Sequence, residues 1–596
     1  MAVLGKRKGD GVATNDAKRL NGAKETKEKD DLWTPPLSLL ESSNWTKFTQ
    51  LVNKHHGLTL EKPQDLWQWS VDNLEQFWEA AWDFTGMISS QPYTKVIMDK
   101  EKMPGAKFFP GARLNFAENL LRFRDDHPAI IFKAETSNQE ETISYKELYE
   151  RVAVLSARLV EMGVVAGDRI AAFIPNIPEA IVAMLAATSL GAIWSSCSPD
   201  FGARGILDRF AQITPKVVFA TDGYFYKGNR VDTLPQLKEV IDELPNVEKV
   251  VVIRFTISNK YDLDLSKVRG AVYYDRFIAE AVSAPKDSIP FTQLPFDHPV
   301  YVMYSSGTTG LPKCLVQGPG VVLNHLKELM IALWKFAQFV YEEIKSDVQF
   351  ASISGGTDLN GCFALGCTNL PVRDSELQTR GLGLDVRIFD DAGKDIVQLQ
   401  GELVCKQPFP SMPLYFWNDA NGVKYHDAYF DTFPGIWRHG DFAEVTHGGG
   451  VIINGRSDAT LKPGGVRIGT ADIYKVMERM DEVDDSVVVG QNYTLKDGTP
   501  DVRILLFVVM AAGHECTPAF QKKVRQHIRD QASPRHMPGM VVACPAIPHT
   551  ISGKKVELTV KKLIDGHAVT NKNTLQNPES LAWFEEFSAS LASKKA

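Results

Sequence analysis

The chain has 596 residues, enough for several hydrophobic cores, and its 44% hydrophobic and 23% charged residues are typical of a soluble globular protein. A net charge of −7 argues against a general nucleic-acid-binding surface. Seven scattered cysteines without a CxxC pair argue against a disulfide framework or a zinc site.

Residues 1–31 are predicted to form a disordered tail, because they lack aromatic residues and are dense in lysine, arginine, aspartate and glycine. Two basic runs at 6–8 and 18–19 loosely resemble a bipartite nuclear signal, although such runs usually belong to a solvated tail. No secretory signal is visible, and the most apolar stretch, residues 180–194, is too short to span a bilayer. We expect a cytosolic protein without a membrane span, with nuclear entry as the alternative.

Residues 32–125 are rich in tryptophan and phenylalanine and have helical periodicity near 73–85, so they are predicted to cap the main body. From 126 to 457, short apolar runs such as PAIIF, DRIAAFIP, GAIWSSCS, KVVFATD and EKVVVIRF alternate with helical patterns. This alternation predicts a large α/β domain with mostly parallel sheets, covered by helices on both faces. Ligands of such sheets bind at the carboxyl ends of the strands.

The pattern changes after about residue 455. The runs DSVVVGQNY and VRILLFVVM are typical of strands, and helical patterns lie near 470–480 and 518–532. These features predict a small α+β domain over residues 458–596. We therefore place a domain boundary at 456–458.

The stretch YVMYSSGTTGLPK, residues 301–313, carries the clearest chemical signal. A buried strand runs into a turn of serine, glycine and threonine, where main-chain N–H groups and hydroxyls can converge on an anion. Lys313 adds a positive charge at the end of the turn. The spacing differs from a Walker A loop, and Cys314 follows the lysine instead of serine or threonine. We interpret the turn as a phosphate site, and a flexible surface loop is the alternative.

The turn YSSGTTGLPK resembles the phosphate-loop signature of the adenylate-forming superfamily, which includes acyl-CoA synthetases, luciferases and peptide-synthetase domains. Four more stretches resemble motifs of that superfamily, in its order: SISGGTDL (352–359), GIWRHGD (435–441), GRSDATLKPGGVRIGTADI (455–473) and ISGKKVE (551–557). Several others, including FFPGARLNFAENLL and WSSCSPDFG, are most similar to the branch that activates acetoacetate. The resemblance covers nearly the whole chain from residue 32. It implies that residues 126–457 are an AMP-binding domain and that the small C-terminal domain is mobile.

The resemblance implies a reaction in two halves. The carboxylate of acetoacetate attacks the α-phosphate of ATP and expels pyrophosphate, and the thiol of coenzyme A then attacks the acyl-adenylate and releases AMP. Mg²⁺ and a mobile lysine would stabilise the charge on the reacting phosphate. The implied partners are the small molecules acetoacetate, ATP and coenzyme A, with no nucleic acid and no membrane.

The resemblance also assigns roles to residues of the large domain. Gly356 and Thr357 would contact the adenylate and its α-phosphate, and Asp358, where many relatives have glutamate, would bind Mg²⁺. Asp441 would accept hydrogen bonds from both ribose hydroxyls. The β- and γ-phosphates would be held by Ser305, Ser306, Gly307, Thr308, Thr309, Gly310 and Lys313.

Five further residues gain roles from the last two motifs and the C-terminal helix. Arg456 would lie at the ribose side, and Asp458 would be the hinge about which the small domain rotates. Arg467 would reach a phosphate, and Lys554 would deliver its charge in the transition state of adenylation. Arg529 would contact coenzyme A. For Lys554, the alternative is a solvated surface lysine.

One interval departs from the family pattern. Between Ser305 and Gly355 the chain is shorter than its relatives by roughly three βα units, on the order of ninety residues. The AMP-binding domain is therefore predicted to be shortened around 323–350. In its place, apolar residues recur at spacings of three and four, which predicts one continuous amphipathic helix. These residues are Leu323, Leu326, Met330, Leu333, Ala337 and Val340.

The shortened interval leaves three hypotheses open. The first is an active acid–thiol ligase with a compacted pocket. The second is a catalytically impaired isoform or mispredicted product that binds at most a nucleotide or a partner. Losing interior strands should cost more than the ~5–15 kcal/mol by which a fold is stable, unless the sheet re-pairs. The third is a ligase for another short-chain acid, since the interval includes a wall of the family's acyl pocket.

Overall fold

The computed structural model describes residues 31–135, 140–257, 263–280, 288–305, 311–332, 349–461, 463, 468–494, 500–550, 553–569, 572 and 575–593. The predicted disordered tail, apart from its last residue, lies outside these ranges. So do residues 306–310 of the phosphate turn, Arg467, and positions 333–348 of the predicted long helix.

The N-terminal region consists of short helices joined to very short strands. Its elements are β1 (Asp31–Trp33), α1 (Leu37–Ser42), α2 (Asn44–His56), α3 (Pro63–Asp72), α4 (Leu74–Thr85), β2 (Ile97–Met98), β3 (Lys107–Phe108), β4 (Arg113–Leu114) and α5 (Phe116–Leu120). Aromatic side chains of α2 and α4 fill its centre, where Phe48 and Phe77 are fully buried with ring centroids 6.0 Å apart. Helix α2 ends at Gly57, whose φ of 66° costs a glycine little.

Strands and helices alternate in the next part of the chain. The elements are β5 (Pro128–Lys133), β6 (Glu140–Ser144), α6 (Tyr145–Glu161), β7 (Arg169–Phe173), α7 (Pro178–Ser189), β8 (Ile193–Cys197), α8 (Ala203–Ile213), β9 (Val217–Thr221), β10 (Gly223–Tyr226), β11 (Asn229–Asp232), α9 (Leu234–Asp242), β12 (Lys249–Ile253), β13 (Ala271–Tyr273), α10 (Tyr274–Ala279), β14 (Leu294–Pro295) and β15 (Tyr301–Ser305). The predicted alternation is confirmed here. Strands β7, β9 and β12 carry almost only buried residues, as expected for a sheet covered on both faces.

The following part is richer in antiparallel strands. Its elements are β16 (Lys313–Gln317), α11 (Gly320–Leu326), β17 (Ser354–Gly356), β18 (Gly361–Leu365), β19 (Val372–Arg373), β20 (Thr379–Arg380), β21 (Val386–Phe389), β22 (Gly401–Cys405), β23 (Tyr415–Phe416), α12 (Val423–Tyr429), β24 (Trp437–Val445) and β25 (Val451–Arg456). Strands β21, β22, β24 and β25 form an antiparallel sheet in that order, and β17, β18 and β20 form a smaller one.

The main sheet has the described strand order β13-β12-β9-β7-β8-β15-β16-β23. The six strands from β13 to β15 are parallel, as predicted. The last two strands differ, because β16 runs antiparallel to β15 and β23 runs antiparallel to β16. A short turn between β15 and β16 leaves no room for the crossover that a parallel neighbour would require.

The helices of the main sheet cover its faces. Helix α6, 17 residues long, buries Leu148, Val152 and Leu159 and carries charged residues on its outer side. Helix α7 comes from the most apolar stretch of the sequence and is largely buried. In the described part of the chain, no helix has both the length and the hydropathy needed to cross a membrane.

The predicted long helix after the phosphate turn is only partly α-helical. After α11, residues Lys327–Ala332 form a π-helix. Lys327 and Glu328 are both buried there, although a regular amphipathic helix would turn one of two consecutive charged residues outward. Lys327 Nζ donates to the Leu382 carbonyl at 3.2 Å, and Glu328 accepts the Cys362 N–H at 2.9 Å. The prediction of one continuous α-helix was therefore wrong over these residues, because polar contacts in the core override the apolar spacing.

The C-terminal part is the predicted small α+β unit. Its elements are α13 (Ala471–Met477), β26 (Val483–Thr494), β27 (Pro500–Met510), α14 (Pro518–Gln531), a 3₁₀ turn (Pro534–His536), β28 (Met540–Ala543), α15 (Glu557–Ile564) and α16 (Ser580–Ser593). Strands β26 and β27 pair antiparallel over their whole length, and β28 adds a parallel strand. Each face of this sheet carries its own hydrophobic cluster, with α13 and α14 on one side and α15 and α16 on the other. The exact domain boundaries stay predictions.

Candidate active site

The turn predicted to bind the triphosphate connects β15 and β16. Ser305, the last residue of β15, is paired in register with Lys313, the first residue of β16. The two ends of the turn therefore meet at the carboxyl end of a parallel strand, where sheets of this kind bind ligands. Residues 306–310 lie outside the described residues, so their predicted phosphate contacts stay predictions.

Lys313 is half-buried beside aromatic rings. Its Nζ lies 5.4 Å from the ring centroid of Tyr429 and 5.8 Å from that of Phe416. Burial lowers the pKa of Lys313, the carboxylate of Asp358 opposes this shift, and the positive charge of Arg456 adds to it. Lys313, Asp358 and Arg456, three residues predicted to bind the nucleotide, are thus electrostatic neighbours.

Asp358 follows β17 and is held by residues from two other elements. Tyr429, at the end of α12, donates a hydrogen bond from its hydroxyl to Oδ1 of Asp358. Gln317, at the end of β16, donates from Nε2 to the main-chain carbonyl of Asp358 at 3.0 Å. The ring of Tyr429 stacks on Trp437 with centroids 3.8 Å apart and an interplanar angle of 12°. Burial, followed by the charge of Asp358, raises the pKa of Tyr429 well above its ordinary value, so its hydroxyl keeps its proton and donates.

Gly356 and Thr357 precede Asp358. Gly356 lies close to the next strand of the site, because a Cβ at this position would be 3.3 Å from Cε1 of His439. His439 belongs to β24, and its ring packs edge-on against Phe363 with centroids 4.9 Å apart. Thr357 is partly exposed. The SISGGTDL and WRHGD motifs, far apart in the sequence, therefore meet in the fold.

Asp441 and Arg456 form the side of the site that is predicted to bind ribose. They are paired in register on β24 and β25, and Arg456 Nη1 donates to Asp441 Oδ1 at 3.2 Å. His439 Nε2 lies 3.5 Å from Oδ2 of Asp441, and Arg456 Nη2 lies 3.5 Å from Oδ2 of Asp458. Partial desolvation opposes the charge of Arg456, but the carboxylates of Asp458 and Asp441 raise its pKa. Arg456 thus links the predicted ribose carboxylate to the predicted hinge.

The predicted site residues of the C-terminal unit lie apart from this cluster. Lys554 is exposed, and its main-chain N–H donates to Thr550 Oγ1 at 3.0 Å. None of its contacts with described residues reaches Lys313, Asp358 or Asp441. Arg529 is exposed in the last turn of α14. Arg467 lies outside the described residues. The structure therefore brings together Lys313, Gly356, Asp358, Asp441, Arg456 and Asp458. The roles of all the predicted site residues stay predictions.

Three side chains of the cluster have no role in the sequence-based prediction: Tyr429, Gln317 and His439. His439 lies within the GIWRHGD motif. The motif therefore predicts that His439 is near the site, but it does not predict the contacts of its ring. Tyr429 follows Tyr425 by four residues, a spacing that places both on one face of a helix. That spacing predicts a shared aromatic face but gives no indication that the face meets Asp358, 71 positions earlier.

The cluster suits a magnesium–nucleotide complex. Among the described residues no group of three or more histidine, cysteine, aspartate or glutamate side chains forms a metal site. Mg²⁺ bound with a nucleotide needs only one or two carboxylates, because phosphates and water complete its coordination. Asp358 offers one carboxylate beside the cation Lys313, and Gln317 Oε1 and His439 Nδ1 are buried without a hydrogen-bond partner in the described part of the chain. The carboxylate of Asp358 would hold Mg²⁺, which neutralises phosphate charge when bound.

Family models match the chain in the order of its structural parts. Residues 63–120 match the acetyl-coenzyme A synthetase N-terminus, residues 116–382 the AMP-binding enzyme family, and residues 474–554 the AMP-binding enzyme C-terminal domain. The fold is thus that of an AMP-binding enzyme of the acyl-CoA synthetase class.

Individual relatives show to which family within this class the chain belongs. The chain is 39% identical to an acetoacetyl-coenzyme A synthetase of Rhizobium meliloti, with 93% of this chain and 98% of the relative covered. It is 35% identical to the acetoacetyl-CoA synthetase of Macaca fascicularis, with 95% and 98% covered. The solved structure of acetoacetyl-CoA synthetase from Streptomyces lividans is similar with a TM-score of 0.85 at 34% identity, covering 94% of this chain and all of that one. The chain belongs to the acetoacetyl-CoA synthetase family.

The alignment with the Rhizobium relative also bears on the shortened interval. It extends over 654 positions but includes 93% of 596 residues, about 554, so about 100 positions have no counterpart in this chain. This shortfall has the size that the motif spacing predicts. Its location around 323–350 stays a prediction.

Proposed function

We propose that the protein is an acid–thiol ligase that converts acetoacetate, ATP and coenzyme A into acetoacetyl-CoA, AMP and pyrophosphate. One observation carries the proposal: identity of 35–39% with acetoacetyl-CoA synthetases along nearly the whole of both chains. The cluster of Lys313, Asp358, Asp441 and Arg456 supports it, because these charges suit a magnesium–nucleotide complex.

In the first half-reaction, the large domain would bind MgATP. Ser305 and Lys313 would contact the β- and γ-phosphates together with residues 306–310, and Asp358 would bind Mg²⁺. Asp441 would accept hydrogen bonds from the ribose hydroxyls, a role that suits a largely buried carboxylate beside Arg456. Gly356 would contact the adenylate, and Thr357 would contact its α-phosphate.

The small domain would complete the site in turn. Lys554 would bring its ammonium group to the α-phosphate while the carboxylate attacks, which stabilises charge that develops in the transition state. Arg467 would reach a phosphate. After pyrophosphate leaves, rotation about Asp458 would remove Lys554 and bring Arg529 to coenzyme A. Exposure of Lys554 and Arg529 supports these roles, since neither side chain is committed to a core.

To test the proposal, purified protein is incubated with acetoacetate, ATP, coenzyme A and Mg²⁺. The amounts of AMP and acetoacetyl-CoA that form are then measured. Equal amounts of both products are expected. A panel of short-chain acids, compared by kcat/KM, tests whether acetoacetate is the preferred acid. A higher kcat/KM for another acid would favour the third hypothesis.

About 100 positions of the alignment with the Rhizobium relative have no counterpart in this chain. This shortfall favours a second candidate, an impaired isoform that binds a nucleotide without turnover. Pyrophosphate exchange separates the two, because an active ligase returns labelled pyrophosphate to ATP when acetoacetate is present. Absence of exchange in folded, pure protein would contradict the ligase. The sequence of the transcript across codons 323–350 tests whether the shortened interval is expressed.

We infer a cytosolic location, with nuclear entry through the basic N-terminal tail as the alternative. The scattered cysteines without a CxxC pair support a reducing compartment such as the cytosol. Fluorescence microscopy of the full chain and of a variant without residues 1–31 tests both locations. Nuclear signal that disappears with the tail would favour the alternative.

A further inference from the structure

Asp485 contacts two basic side chains that lie on either side of Lys554 in the sequence. Its Oδ1 lies 3.0 Å from Nζ of Lys555, and its Oδ2 lies 3.3 Å from Nε2 of His549. One carboxylate therefore binds both a residue that precedes the predicted catalytic lysine and the residue that follows it.

The carboxylate is fixed on its own strand as well. Asp485 lies on β26 at an irregularity of the pairing with β27, and Oδ1 accepts the N–H of Ser486 at 2.8 Å. The side chains of Asp485, Lys555 and His549 are 26%, 28% and 23% exposed. Partly buried charges are screened less by salt than exposed ones, so salt screens the Asp485–Lys555 pair less than a fully exposed ion pair.

Lys554 lies in the sequence between His549 and Lys555, the two residues that contact Asp485. His549 and Lys555 face each other in an antiparallel bridge, the N–H of Thr550 donates to the Lys554 carbonyl at 2.8 Å, and the Lys554 N–H donates to Thr550 Oγ1. The main chain of Lys554 is thus fixed, whereas its side chain is exposed.

A second group of contacts holds Lys555. Its Nζ lies 4.6 Å from the ring centroid of Tyr474 on α13, a cation–π distance. The Tyr474 hydroxyl donates to Oε1 of Glu557 at 2.5 Å, and burial raises the pKa of Glu557. Lys555 is therefore held by a carboxylate and an aromatic face, each on a different element of the small domain.

We propose that Asp485 is a positioning residue for the adenylation half-reaction. By holding His549 and Lys555, it fixes the main chain from which Lys554 reaches the α-phosphate. The proposal rests on the role of Lys554 in the proposed function. Since the position of a catalytic group matters to about 1 Å, loss of this support should lower adenylation by about 10- to 100-fold. Thioester formation should not change, because Lys554 is predicted to act only on ATP.

The test compares Asp485→Asn with Asp484→Asn. Asp484 is exposed one residue earlier, so its variant removes the same formal charge without touching Lys555. Three quantities are measured for each: acetoacetate-dependent pyrophosphate exchange, acetoacetyl-CoA formation from supplied acetoacetyl-AMP, and the melting temperature. Asp485→Asn is expected to lower only the exchange, and Asp484→Asn should resemble the unchanged protein. Lys555→Gln should lower the exchange too, and the double variant should lose less than the product of the two single losses.

Lys554→Ala separates the inference from the role on which it rests. If Lys554→Ala leaves the exchange unchanged, the predicted role of Lys554 is wrong and the inference fails with it. If Lys554→Ala lowers the exchange and Asp485→Asn does not, the inference alone is overturned. Equal losses in both half-reactions for Asp485→Asn would show a general structural role and overturn it as well. Should Asp485→Asn not fold, Lys555→Gln decides by the same criteria.

Discussion

Asp441 and Arg456 face each other on neighbouring antiparallel strands, with Arg456 Nη1 3.2 Å from Asp441 Oδ1. The guanidinium neutralises the carboxylate without covering it completely, since the Asp441 side chain stays 13% exposed. An oxygen held in this way can accept hydrogen bonds from a ligand at little cost in rearrangement.

Asp441→Asn should weaken the use of ATP, because an amide accepts fewer hydrogen bonds from ribose hydroxyls than a carboxylate does. Hydrogen bonds to charged groups are worth about 1.5–3 kcal/mol, so kcat/KM for ATP should fall by about 10- to 100-fold. The control is the ligand: 2′-deoxy-ATP and 3′-deoxy-ATP should lose less from the substitution than ATP, because each lacks one of the two hydroxyls. Equal losses for all three nucleotides would contradict the ribose role.

Tyr429→Phe should weaken the response to Mg²⁺ by removing the hydrogen bond to Asp358 while keeping the ring that stacks on Trp437. We expect the Mg²⁺ concentration for half-maximal activity to rise by about tenfold. The rise in melting temperature that MgATP produces should also become smaller.

Tyr425→Phe is the matched control for that experiment. Tyr425 packs against Tyr429 with ring centroids 5.5 Å apart, and its hydroxyl is buried without a hydrogen-bond partner in the described part of the chain. The response to Mg²⁺ should be the same as in the unchanged protein. A similar loss in both variants would show that the aromatic packing matters and the contact with Asp358 does not.

Deprotonation of Lys313 should lower kcat/KM for ATP at alkaline pH. Burial lowers its pKa below that of an ordinary lysine, and only the protonated form can bind phosphate as a cation. The charge is complete well below the lowered pKa and is lost as the pH rises through it. A plot of kcat/KM for ATP against pH reports groups of the free enzyme and should fall on the alkaline side. Lys313→Arg should remove this fall, because arginine keeps its proton; an unchanged fall would assign it to another group.

Arg529→Gln should raise the KM for coenzyme A and leave acetoacetate-dependent pyrophosphate exchange unchanged, since only the second half-reaction uses coenzyme A. Loss of one exposed charge-assisted contact should raise the KM by about tenfold. Lys522→Gln, an exposed substitution on the same helix, is the control and should change neither quantity. An unaltered KM for coenzyme A in Arg529→Gln would contradict the predicted contact.

The sequence was most informative where function depends on residues close together in the chain. The strand that ends at Ser305 and the α+β character of the C-terminal part could both be predicted, because each follows from local pattern and spacing. The contact of Tyr429 with Asp358 could not, since it joins elements 71 positions apart and depends on how α12 packs. The π-helix at Lys327 was missed for a related reason: its polar contacts come from Leu382 and Cys362, which no local pattern places beside it.

Arg456 pairs with two residues whose predicted roles differ, Asp441 as the ribose ligand and Asp458 as the hinge between the domains. A substitution at one of the three changes the electrostatic surroundings of the other two. We therefore expect Asp441, Arg456 and Asp458 to covary among homologues: a substitution at one of them should be accompanied by compensating substitutions at the other two. Replacing Asp458 alone by the residue of a distant homologue should change the affinity for the nucleotide as well as the movement of the small domain.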